Sequence, residues 1–452
     1  MTPATAPGPV LVVGAGYVGL VTAVGLAGLG HRVHLVEIRR DRLEMLRRGV
    51  PPIHEAGLPE ALTAAVSSGA LTVSAEPIAE AGIALVCVGT PIGADGRSDL
   101  SELRAALSGL VPFLGSRVPL VIRSTVPPGS TRLAVEWSGV PPRRVFTNPE
   151  FLRQGTALED FRRPSRVIIG RFADADPDAL ALVESLYDGI DAPRLVVDVA
   201  AAELIKNGAN AFLALKLSFA NEIASLCEEY GADVDEVIGG IALDPRIGGQ
   251  YMRPSFGFGG SCLPKELQAL AAAGAARGLS MDVTKAASSA NSAQQARFAE
   301  RIESVLGGLG GRRIGLLGLA FKAGTDDVRE SPALAVAAQL LDAGASVRAY
   351  DPQAAANAVA VLPRLEIAAS AAEALEGADA AVIGTEWPEF AALDWAALRA
   401  RMVQPTVLDG RRILDARRMR ELGFRYEAVG SPPGVSESRS RPEPSPSAAD
   451  SR

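Results

Sequence analysis

Histidine and lysine are scarce in this chain of 452 residues. There are three histidines, and all of them lie within the first 54 residues. A histidine-based triad or a zinc site is therefore not expected, and acid–base chemistry must fall to Lys, Glu, Asp or Cys. Only five of the 45 basic residues are lysines, at 206, 216, 265, 285 and 322. A lysine kept in such an arginine-rich background favours a role that arginine cannot fill, such as titrating or acting as a compact donor.

Cysteine and long apolar runs are also in short supply. Three scattered cysteines do not form a disulfide framework, which predicts a reducing cytoplasm. No apolar run reaches the roughly 18 residues that would span a bilayer, and the polar N-terminus does not resemble a signal peptide. A net charge of −7 argues against nucleic acid or an anionic membrane as a partner. No metal site is predicted.

The remaining composition is that of a soluble globular protein. Hydrophobic residues make up 48% and charged residues 21% of the chain. The length predicts two or three domains. Residues 431–452 are rich in Ser, Pro, Glu and Arg and are expected to form a disordered tail.

A glycine motif near the N-terminus predicts a dinucleotide site. Residues 9–14 have the composition of a buried strand, and Gly14, Gly16 and Gly19 follow in G-x-G-x-x-G spacing. A helical pattern and a second strand come next, and that strand ends in Glu37. Strand, glycine turn, helix, strand and acid in this order are typical of a fold that binds the pyrophosphate at a helix N-terminus. Glu37 should accept the ribose hydroxyls and repel a 2′-phosphate, so NAD is expected over NADP.

Polar residues follow three further predicted strands. Thr90, Thr125 and Glu150 each come at or just after an apolar run. In an open α/β sheet, ligands bind outside the carboxyl ends of the strands. Each residue alone is more often an ordinary cap, but the three together indicate a site at one edge of the sheet.

The sequence pattern changes at about residue 200. Some thirty residues without proline show helical spacing, which predicts one long helix connecting domains. Lys206 and Asn210 are four residues apart and share a face of that helix, either as a solvent-facing pair or as part of a site. Strand and helix patterns resume from about residue 310 and predict a second doubly wound unit.

The stretch FGFGGSCLPKE, residues 256–266, combines a glycine loop with a cysteine. Cys87 lies in an apolar run and Cys227 in a helical pattern, whereas Cys262 has glycine and serine beside it. Lys265 lies three residues on, and a nearby cation is expected to favour the nucleophilic thiolate. The alternative is a glycine loop with an incidental cysteine, but the surroundings favour a catalytic thiol.

Taken together, these motifs resemble those of the UDP-glucose 6-dehydrogenase group of nucleotide-sugar dehydrogenases. The resemblance covers about residues 9–428 and rests on GAGYVGL, STVPPG, NPEFLRQGTA, ELIKNGANAFLALKLSFANE, DPRIG, FGFGGSCLPKE and GLAFKAGTDDVRESPA. It implies an α/β fold in which two doubly wound Rossmann-like domains are joined by a long central helix and a small helical domain. The implied divisions are an NAD-binding domain (1–199), a central helical dimerisation domain with the cysteine loop (200–309), a nucleotide-sugar-binding domain (310–430) and a disordered tail (431–452).

The resemblance also implies an activity. A member of this group oxidises UDP-glucose to UDP-glucuronate with two NAD, in four electrons, through a thiohemiacetal and a thioester on its cysteine. It acts in the cytoplasm as a homodimer or a higher homo-oligomer. This course fits the residues, because covalent capture divides a difficult oxidation into steps.

Site residues carried over by the resemblance fall into three groups. The catalytic group comprises Cys262, Lys206, Asn210, Glu150, Thr125 and Glu266. The NAD-binding group comprises Gly14, Gly16, Tyr17, Val18, Gly19, Glu37, Arg42, Thr90, Thr125, Gln154, Lys265 and Arg329. The substrate-binding group comprises Glu150, Phe151, Leu152, Arg153, Lys206, Asn210, Arg246, Tyr251, Arg253, Ser255, Gly259 and Lys322. Arg246 matches a residue that reaches into the partner subunit's site.

Two departures and several alternatives stay open. Glu266 replaces the usual Asp after the cysteine motif, and Gln154 replaces a frequent Glu. GDP-mannose 6-dehydrogenase has a similar loop and the same four-electron chemistry, and the UDP-N-acetylmannosamine enzymes tend to have His where this chain has Ser261. An inactive binding homologue would not need Cys262, Lys206 and Asn210 together. A two-electron dehydrogenase would need no thiol and would form one NADH per sugar.

Overall fold

The computed structural model describes residues 8–93 and 95–432, and most of the expected tail, 433–452, lies outside this part. The first sheet has eight strands, in the order β3-β2-β1-β4-β5-β6-β7-β8. All neighbours are parallel except β6 and β7. The strands are β1 (Val10–Val13), β2 (Val33–Val36), β3 (Leu71–Ser74), β4 (Ile83–Val86), β5 (Leu120–Ile122), β6 (Val145–Thr147), β7 (Val167–Arg171) and β8 (Arg194–Asp198).

Helices cover both faces of this sheet. They are α1 (Tyr17–Gly28), α2 (Arg40–Arg47), α3 (Leu58–Ser67), α4 (Ser101–Leu110), α5 (Ser130–Ser138), α6 (Ala157–Arg162) and α7 (Pro177–Ser185), with short 3₁₀ turns at Val111–Phe113 and Pro142–Arg144. Alternate residues of β1 enter different cores: Val10 and Val12 pack on one face, and Leu11 and Val13 on the other. A strand buried on both faces reads as a continuous apolar run, which is what residues 9–14 show.

Four helices form the central segment: α8 (Val199–Tyr230), α9 (Val234–Ala242), α10 (Leu263–Ala275) and α11 (Asp282–Leu306). The 32-residue helix α8 begins at the Asp198 N-cap, whose carboxylate accepts from the Ala200 N–H, and ends at Gly231 in a left-handed conformation. Its length is about 48 Å at 1.5 Å per residue. The chain between α9 and α10, residues 243–262, carries the FGFGGSC loop and contains no regular element.

The second sheet is wholly parallel, with six strands in the order β11-β10-β9-β12-β13-β14. Its strands are β9 (Arg313–Leu317), β10 (Ser346–Tyr350), β11 (Glu366–Ile367), β12 (Ala380–Ile383), β13 (Thr406–Asp409) and β14 (Arg425–Ala428). Its helices are α12 (Pro332–Asp342), α13 (Ala355–Val361), α14 (Ala371–Ala374), α15 (Pro388–Ala391), α16 (Trp395–Arg399) and α17 (Ala416–Glu421). Two doubly wound sheets joined by a long helix confirm the predicted fold class.

The central helices share a core with the second sheet. Ala224 on α8 and Phe298 and Ile302 on α11 belong to the same buried cluster as Ile314 and Leu316 on β9. This packing fixes the second sheet against the central segment. Within the part of the chain that the structure describes, no helix is long and apolar enough to cross a membrane.

Candidate active site

The three glycines after β1 form a cradle at the start of α1. Gly14 has a φ of +98°, a conformation that side chains disfavour. A Cβ at Gly19 would lie 1.8 Å from the Gly14 carbonyl oxygen, so helix and turn pack together only without a side chain. A Cβ at Gly16 would meet nothing within 4 Å. The open space at Gly16, in front of a helix N-terminus, fits the pyrophosphate of a dinucleotide.

Tyr17 and Val18 begin α1 beside this space. The Tyr17 hydroxyl donates to the Glu55 carboxylate, which also accepts from the Gly155 and Ala157 N–H groups at 2.7 and 2.8 Å. Burial and Glu55 both raise the pKa of Tyr17 above its ordinary range, so it remains a neutral donor. Glu55 therefore ties the glycine turn to the loop that follows β6.

Glu37 lies just beyond the carboxyl end of β2 and is buried. Its Oε1 atom accepts from the Arg39 N–H at 2.9 Å, which fixes the carboxylate near the glycine turn. Arg42, on α2, lines a cleft of about 720 Å³ together with Arg39, His54 and Asp326. The carboxylate is thus placed where the ribose of a bound dinucleotide is expected.

Replacing Glu37 by Ala should lower kcat/KM for NAD roughly 10- to 150-fold, because hydrogen bonds to a charged group contribute about 1.5–3 kcal/mol. The value for NADP should fall much less or rise, because the repulsion of the 2′-phosphate is removed. Steady-state kinetics with both cofactors measure the change. Glu44→Ala, at an exposed carboxylate on α2, is the control. Equal losses with both cofactors would contradict the role of Glu37.

Thr90, Thr125 and Glu150 come together beyond the carboxyl ends of β4, β5 and β6. The Thr90 hydroxyl donates to the Thr125 carbonyl oxygen at 2.6 Å. The Thr125 hydroxyl donates to the Glu150 Oε1 atom at 3.3 Å. The three residues form one continuous polar edge, as strand neighbours in a parallel sheet should.

Lys206 projects from α8 onto this edge. Its Nζ atom lies 3.1 Å from the Glu150 Oε1 atom, and both side chains are buried. Burial alone would lower the pKa of Lys206, but the charge of Glu150 raises it. Burial would likewise raise the pKa of Glu150, but Lys206, the Leu152 N–H and Arg123 lower it. Both side chains are therefore charged at neutral pH. The pair can transfer a proton only when a third group takes part.

Asn210 and Phe151 complete the surroundings of Lys206. Asn210 is buried one helical turn further along α8, so the solvent-facing alternative for this pair is wrong. The Phe151 ring centroid lies 5.2 Å from the Lys206 Nζ atom, and the Leu152 N–H donates to the Glu150 Oε2 atom at 2.6 Å. An ammonium and a neutral amide thus share one face with an aromatic ring.

Cys262 is the N-cap residue of α10 and is the exposed cysteine of the three. Its Sγ atom lies 3.7 Å from the Ser261 Oγ atom. Protein crowds the thiol on its other sides, and this burial, together with Glu150, raises its pKa even though Lys206 lowers it. The resting group is therefore a thiol, and a thiolate requires a base or a loss of negative charge nearby.

Lys265, the cation expected to favour the thiolate, is held by two other side chains. The Lys265 Nζ atom donates to the Thr90 hydroxyl at 2.9 Å and lies 3.6 Å from the Glu266 carboxylate. The cation that favours the thiolate is Lys206. Glu266 is buried, its N–H donates to the Cys262 carbonyl oxygen at 2.8 Å, and burial raises its pKa.

Residues after β9 reach the same region from the second sheet. The Lys322 ammonium donates to the Gln154 carbonyl oxygen at 2.5 Å, and burial lowers the pKa of Lys322. The Gln154 amide donates to Asp327 at 3.0 Å, and Asp327 also accepts from Arg329. The two sheet domains therefore contact each other beside the candidate site.

The loop before α10 carries the other expected substrate residues. A Cβ at Gly259 would lie 1.9 Å from the Glu330 carbonyl oxygen, so this position excludes a side chain. Arg253 donates to the Arg412 carbonyl oxygen at 2.8 Å, and Ser255 is buried. Tyr251 has a φ of +60°, which is uncommon for a residue with a side chain.

Two expected residues are exposed and pair with neighbouring carboxylates. Arg246 is exposed and pairs with Asp244 at 2.5 Å. Arg153 is exposed and pairs with Asp160 at 2.6 Å.

Sequence reasoning missed several buried polar residues around the site. Arg411 donates to the carbonyl oxygens of Gly257, Phe321 and Gly384 and so joins the cysteine loop to the second sheet. Glu55 joins the glycine turn to the loop after β6. Neither Arg411 nor Glu55 belongs to a motif with a recognised spacing. The sequence signal that identifies such residues is a charged side chain within an otherwise apolar stretch.

The fold and the site together define a class of nucleotide-dependent dehydrogenase that carries a thiol beside a buried lysine. Three family models match the chain: the NAD binding domain over residues 9–191, the central domain over 200–293 and the UDP binding domain over 315–416, all of the UDP-glucose/GDP-mannose dehydrogenase family. The chain belongs to this family, and the resemblance found in its motifs is confirmed.

Curated relatives and solved structures agree with this assignment. A UDP-glucose 6-dehydrogenase of Pseudomonas aeruginosa is 40% identical over 93% of this chain and 97% of its own length. The corresponding protein of Rhizobium meliloti is 38% identical, over 94% and 99%. The structure of a UDP-glucose dehydrogenase from Pyrobaculum islandicum superposes with a TM-score of 0.87, with 39% identity, covering 95% of this chain and 100% of that one. A UDP-D-ManNAc dehydrogenase from Pyrococcus horikoshii gives 0.82 with 28% identity, over 93% and 99%.

Proposed function

We propose that this protein is an NAD-dependent dehydrogenase that oxidises the C6 alcohol of UDP-glucose to the carboxylate of UDP-glucuronate. The observation that carries the proposal is the buried Lys206–Glu150 pair at the polar edge of the first sheet, whose charges act on the exposed cysteine Cys262. The relatives named for UDP-glucose, which align along nearly the whole chain, support the choice of substrate.

The first sheet is the proposed cofactor side. The glycine cradle, Glu37 and Arg42 would hold NAD, with Thr90, Gln154, Lys265 and Arg329 around it. NAD, when bound, supplies the hydride acceptor for both oxidations. Glu37 holds the ribose hydroxyls, and α1 presents its N-terminal N–H groups to the pyrophosphate.

Lys206 and Asn210 are the proposed oxyanion and proton-handling groups. An ammonium and an amide on one helical face can stabilise negative charge that develops on the C6 oxygen. Thr125 and Glu150 hold a water near the same carbon, and Glu150 accepts the proton of that water at the hydrolysis step. Lys206 and Glu150 need opposite charges for these roles, and their contact at 3.1 Å maintains those charges.

Cys262 is the proposed nucleophile. Loss of its proton lets Sγ add to the C6 carbonyl of the aldehyde, which forms a thiohemiacetal. Loss of a hydride and a proton from that adduct gives a thioester, and water then breaks the C–S bond to release the acid and the thiol. Because the pKa of Cys262 is raised even with Lys206 nearby, its proton must pass to a base as Sγ attacks, and Lys206 stabilises the negative charge that develops. Glu266 is proposed to orient Lys206 or the attacking water.

The second sheet and the cysteine loop form the proposed sugar-nucleotide side. Lys322, Arg253, Tyr251, Ser255 and Gly259 would surround UDP-glucose. Phe151, Leu152 and Arg153 approach from the first domain.

Counting NADH per sugar tests the proposal. With limiting UDP-glucose and excess NAD, two NADH should form for each UDP-glucuronate, measured at 340 nm and by product mass. A ratio of one would indicate a simple alcohol dehydrogenase. A panel with GDP-mannose and UDP-N-acetylmannosamine tests the substrate, and a higher kcat/KM for either sugar would overturn the assignment to UDP-glucose. No turnover of any sugar would support the binding homologue.

We further propose that the protein works as a homodimer or a larger homo-oligomer, divided as 1–199, 200–309 and 310–430, and in the cytoplasm. On α8, Phe212, Phe219 and Leu226 recur every seven residues and are 60%, 45% and 53% exposed. Residues seven apart lie on one face of a helix, so this apolar stripe suits a second copy of α8. The unpaired state of all three cysteines accords with a reducing compartment.

Phe219→Glu should convert the oligomer to a monomer, because a charge in an apolar interface is costly to bury. Sedimentation velocity should show the mass fall to about that of one chain. Activity should fall at least tenfold, because Arg246 would lose the partner site that it is expected to enter. Val283→Glu, at an apolar residue that is 64% exposed on α11, is the control. A Phe219→Glu monomer with full activity would contradict the proposal.

A further inference from the structure

The loop of residues 255–260, which leads to Cys262, is buried but contains no helix or strand. Ser255, Phe256 and Phe258 are each less than a tenth exposed. Buried N–H and C=O groups need hydrogen-bond partners, and this loop belongs to neither sheet, although the Phe256 N–H donates to the Gly410 carbonyl oxygen just after β13 at 3.1 Å. Its main chain must therefore be held by other groups.

Three amide side chains from two long helices hold it. Asn221 on α8 accepts from the Ser255 N–H at 2.8 Å, and Gln294 on α11 donates to the Ser255 carbonyl oxygen at 2.9 Å. Asn291 on α11 accepts from the Phe258 N–H at 2.8 Å and donates to the Phe258 carbonyl oxygen at 2.9 Å. Asn291 thus pairs with Phe258 as a residue of an adjacent strand would.

The fit around Asn291 is tight. Gly257 has a φ of +135°, and a Cβ there would lie 3.2 Å from the Asn291 Oδ1 atom and 3.0 Å from the Gln295 side chain. Asn291 itself is 8% exposed. The loop conformation and the amide therefore depend on each other, and neither can shift alone.

Three residues lie between Phe258 and Cys262, and the N–H of one of them, Gly260, donates to the Arg329 carbonyl oxygen at 2.9 Å. A shift at Phe258 therefore changes where the thiol lies relative to Lys206. Misplacement of a reacting group by 1 Å can cost about 100-fold in rate.

We propose that Asn291 is a positioning residue that sets Cys262 and the substrate loop in register with Lys206, with Asn221 and Gln294 in support. The role rests on the proposed function, since it concerns the same thiol and the same sugar nucleotide. The two faces of the site are then held from one pair of helices: Lys206 and Asn221 on α8, and Asn291 and Gln294 on α11.

Two substitutions at 291 and one control test this. Asn291→Leu removes both hydrogen bonds and keeps the number and branching of the side-chain heavy atoms. Asn291→Asp keeps the acceptor for the Phe258 N–H but turns a carboxylate oxygen toward the Phe258 carbonyl oxygen. Ser289→Asp adds the same charge at an exposed position of α11. The measurements are kcat and KM for UDP-glucose, KM for NAD, thermal unfolding, and the alkylation rate of Cys262 by iodoacetamide with and without UDP-glucose.

Both variants at 291 should lose at least about 30-fold in kcat/KM for UDP-glucose while KM for NAD stays within about twofold. The kcat/KM of Asn291→Asp for UDP-glucose should rise relative to that of the parent as the pH falls, because a protonated carboxyl restores the donor to the Phe258 carbonyl oxygen. Asn291→Leu should not recover. Ser289→Asp should match the parent throughout. Parallel losses for both substrates without this recovery would mean a structural role alone and would overturn the proposal.

Alkylation separates this proposal from the proposed function. In both variants the rate without UDP-glucose should change at least fivefold, whether or not the protein oxidises that sugar. If UDP-glucose does not slow the alkylation of Cys262 in the parent protein, the proposed function fails. The alkylation rate without UDP-glucose still reports the position of the loop. An unchanged rate overturns the positioning role. If Asn291→Leu does not fold, Gln294→Glu, which removes only the donor to Ser255, replaces it in the test. Loss of folding in all variants would mean that the amides are needed for folding and would overturn the proposal.

Discussion

Cys262→Ala should reduce the formation of UDP-glucuronate by at least about a thousandfold, equivalent to about 4 kcal/mol of activation free energy. Without Sγ no thiohemiacetal or thioester forms, so the aldehyde cannot pass through the covalent route. The alanine also vacates little volume at an exposed N-cap, so folding should be unaffected. Product mass and NADH release measure the change.

Cys227→Ala is the matched control, because Cys227 is a buried thiol on α8 that takes no part in the site. It should retain parental acid formation. Near-parental acid formation by Cys262→Ala would remove the thiol from the mechanism and would mean that the aldehyde is oxidised as its hydrate. A single burst of one NADH per site in Cys262→Ala would agree with the proposal, since the first oxidation does not need sulfur.

Lys206→Met should lower kcat by roughly 10²- to 10⁴-fold, the usual range for loss of a positioned proton-transfer group. It should also lower the free energy of unfolding of the first domain by about 3–5 kcal/mol, because Glu150 is left as a buried charge without its partner. Denaturation followed by a probe in that domain measures the second effect. Lys285→Met, at an exposed lysine of α11, should change neither quantity.

The double variant Lys206→Met/Glu150→Gln separates the two effects. Its stability should return close to that of the parent, because no unpaired charge stays buried, while its activity should remain low. If the double variant were as unstable as Lys206→Met, packing rather than charge would account for the loss.

The pH dependence of this pair follows from the directions of its pKa shifts. The pKa of Lys206 is raised on folding, so its contribution is full below the ordinary value of 10.5 and is lost as the pH rises through the higher folded value. The pKa of Glu150 is lowered, so its contribution is full above the ordinary 4.5 and is lost as the pH falls through the lower folded value. The stabilisation by the pair should therefore be constant between these limits, and absent at all pH values in the double variant.

The sequence allowed the two sheets and the long helix to be predicted because their signals are local. Buried parallel strands are apolar runs, and α8 shows one helical period for some thirty residues. Strands β3, β7, β8, β11 and β14 were not identified. In β8 the apolar signal is weak, because its first two residues are exposed and its centre is half-buried. Its place at the edge of the sheet, in parallel pairing with β7, depends on tertiary contacts.

The candidate site divides in the same way. Gly14, Glu37, Lys206 and Cys262 stand out because spacing or rarity marks them. The direction of the Cys262 pKa shift could not be predicted, because it depends on Glu150, which lies over a hundred residues away in sequence and contacts the site only in the fold. Asn291 was missed because an asparagine within a helix carries no signal until its partner, Phe258, is known.

The length of helix α8 sets the spacing between the parts of the molecule that contact its two ends. Lys206 lies near its first end, and Glu228, which accepts from the Gly430 N–H and from Arg301, lies near its last. The 22 residue steps from Lys206 to Glu228 measure about 33 Å at 1.5 Å per residue. One residue inserted between them would move the far end of the helix by 1.5 Å and rotate it by about 100°. The second sheet would then present a different face to the Cys262 thiol. The same insertion at residues 243–250 could be absorbed by the loop, so evolution has far less freedom in the length of this helix than in its sequence.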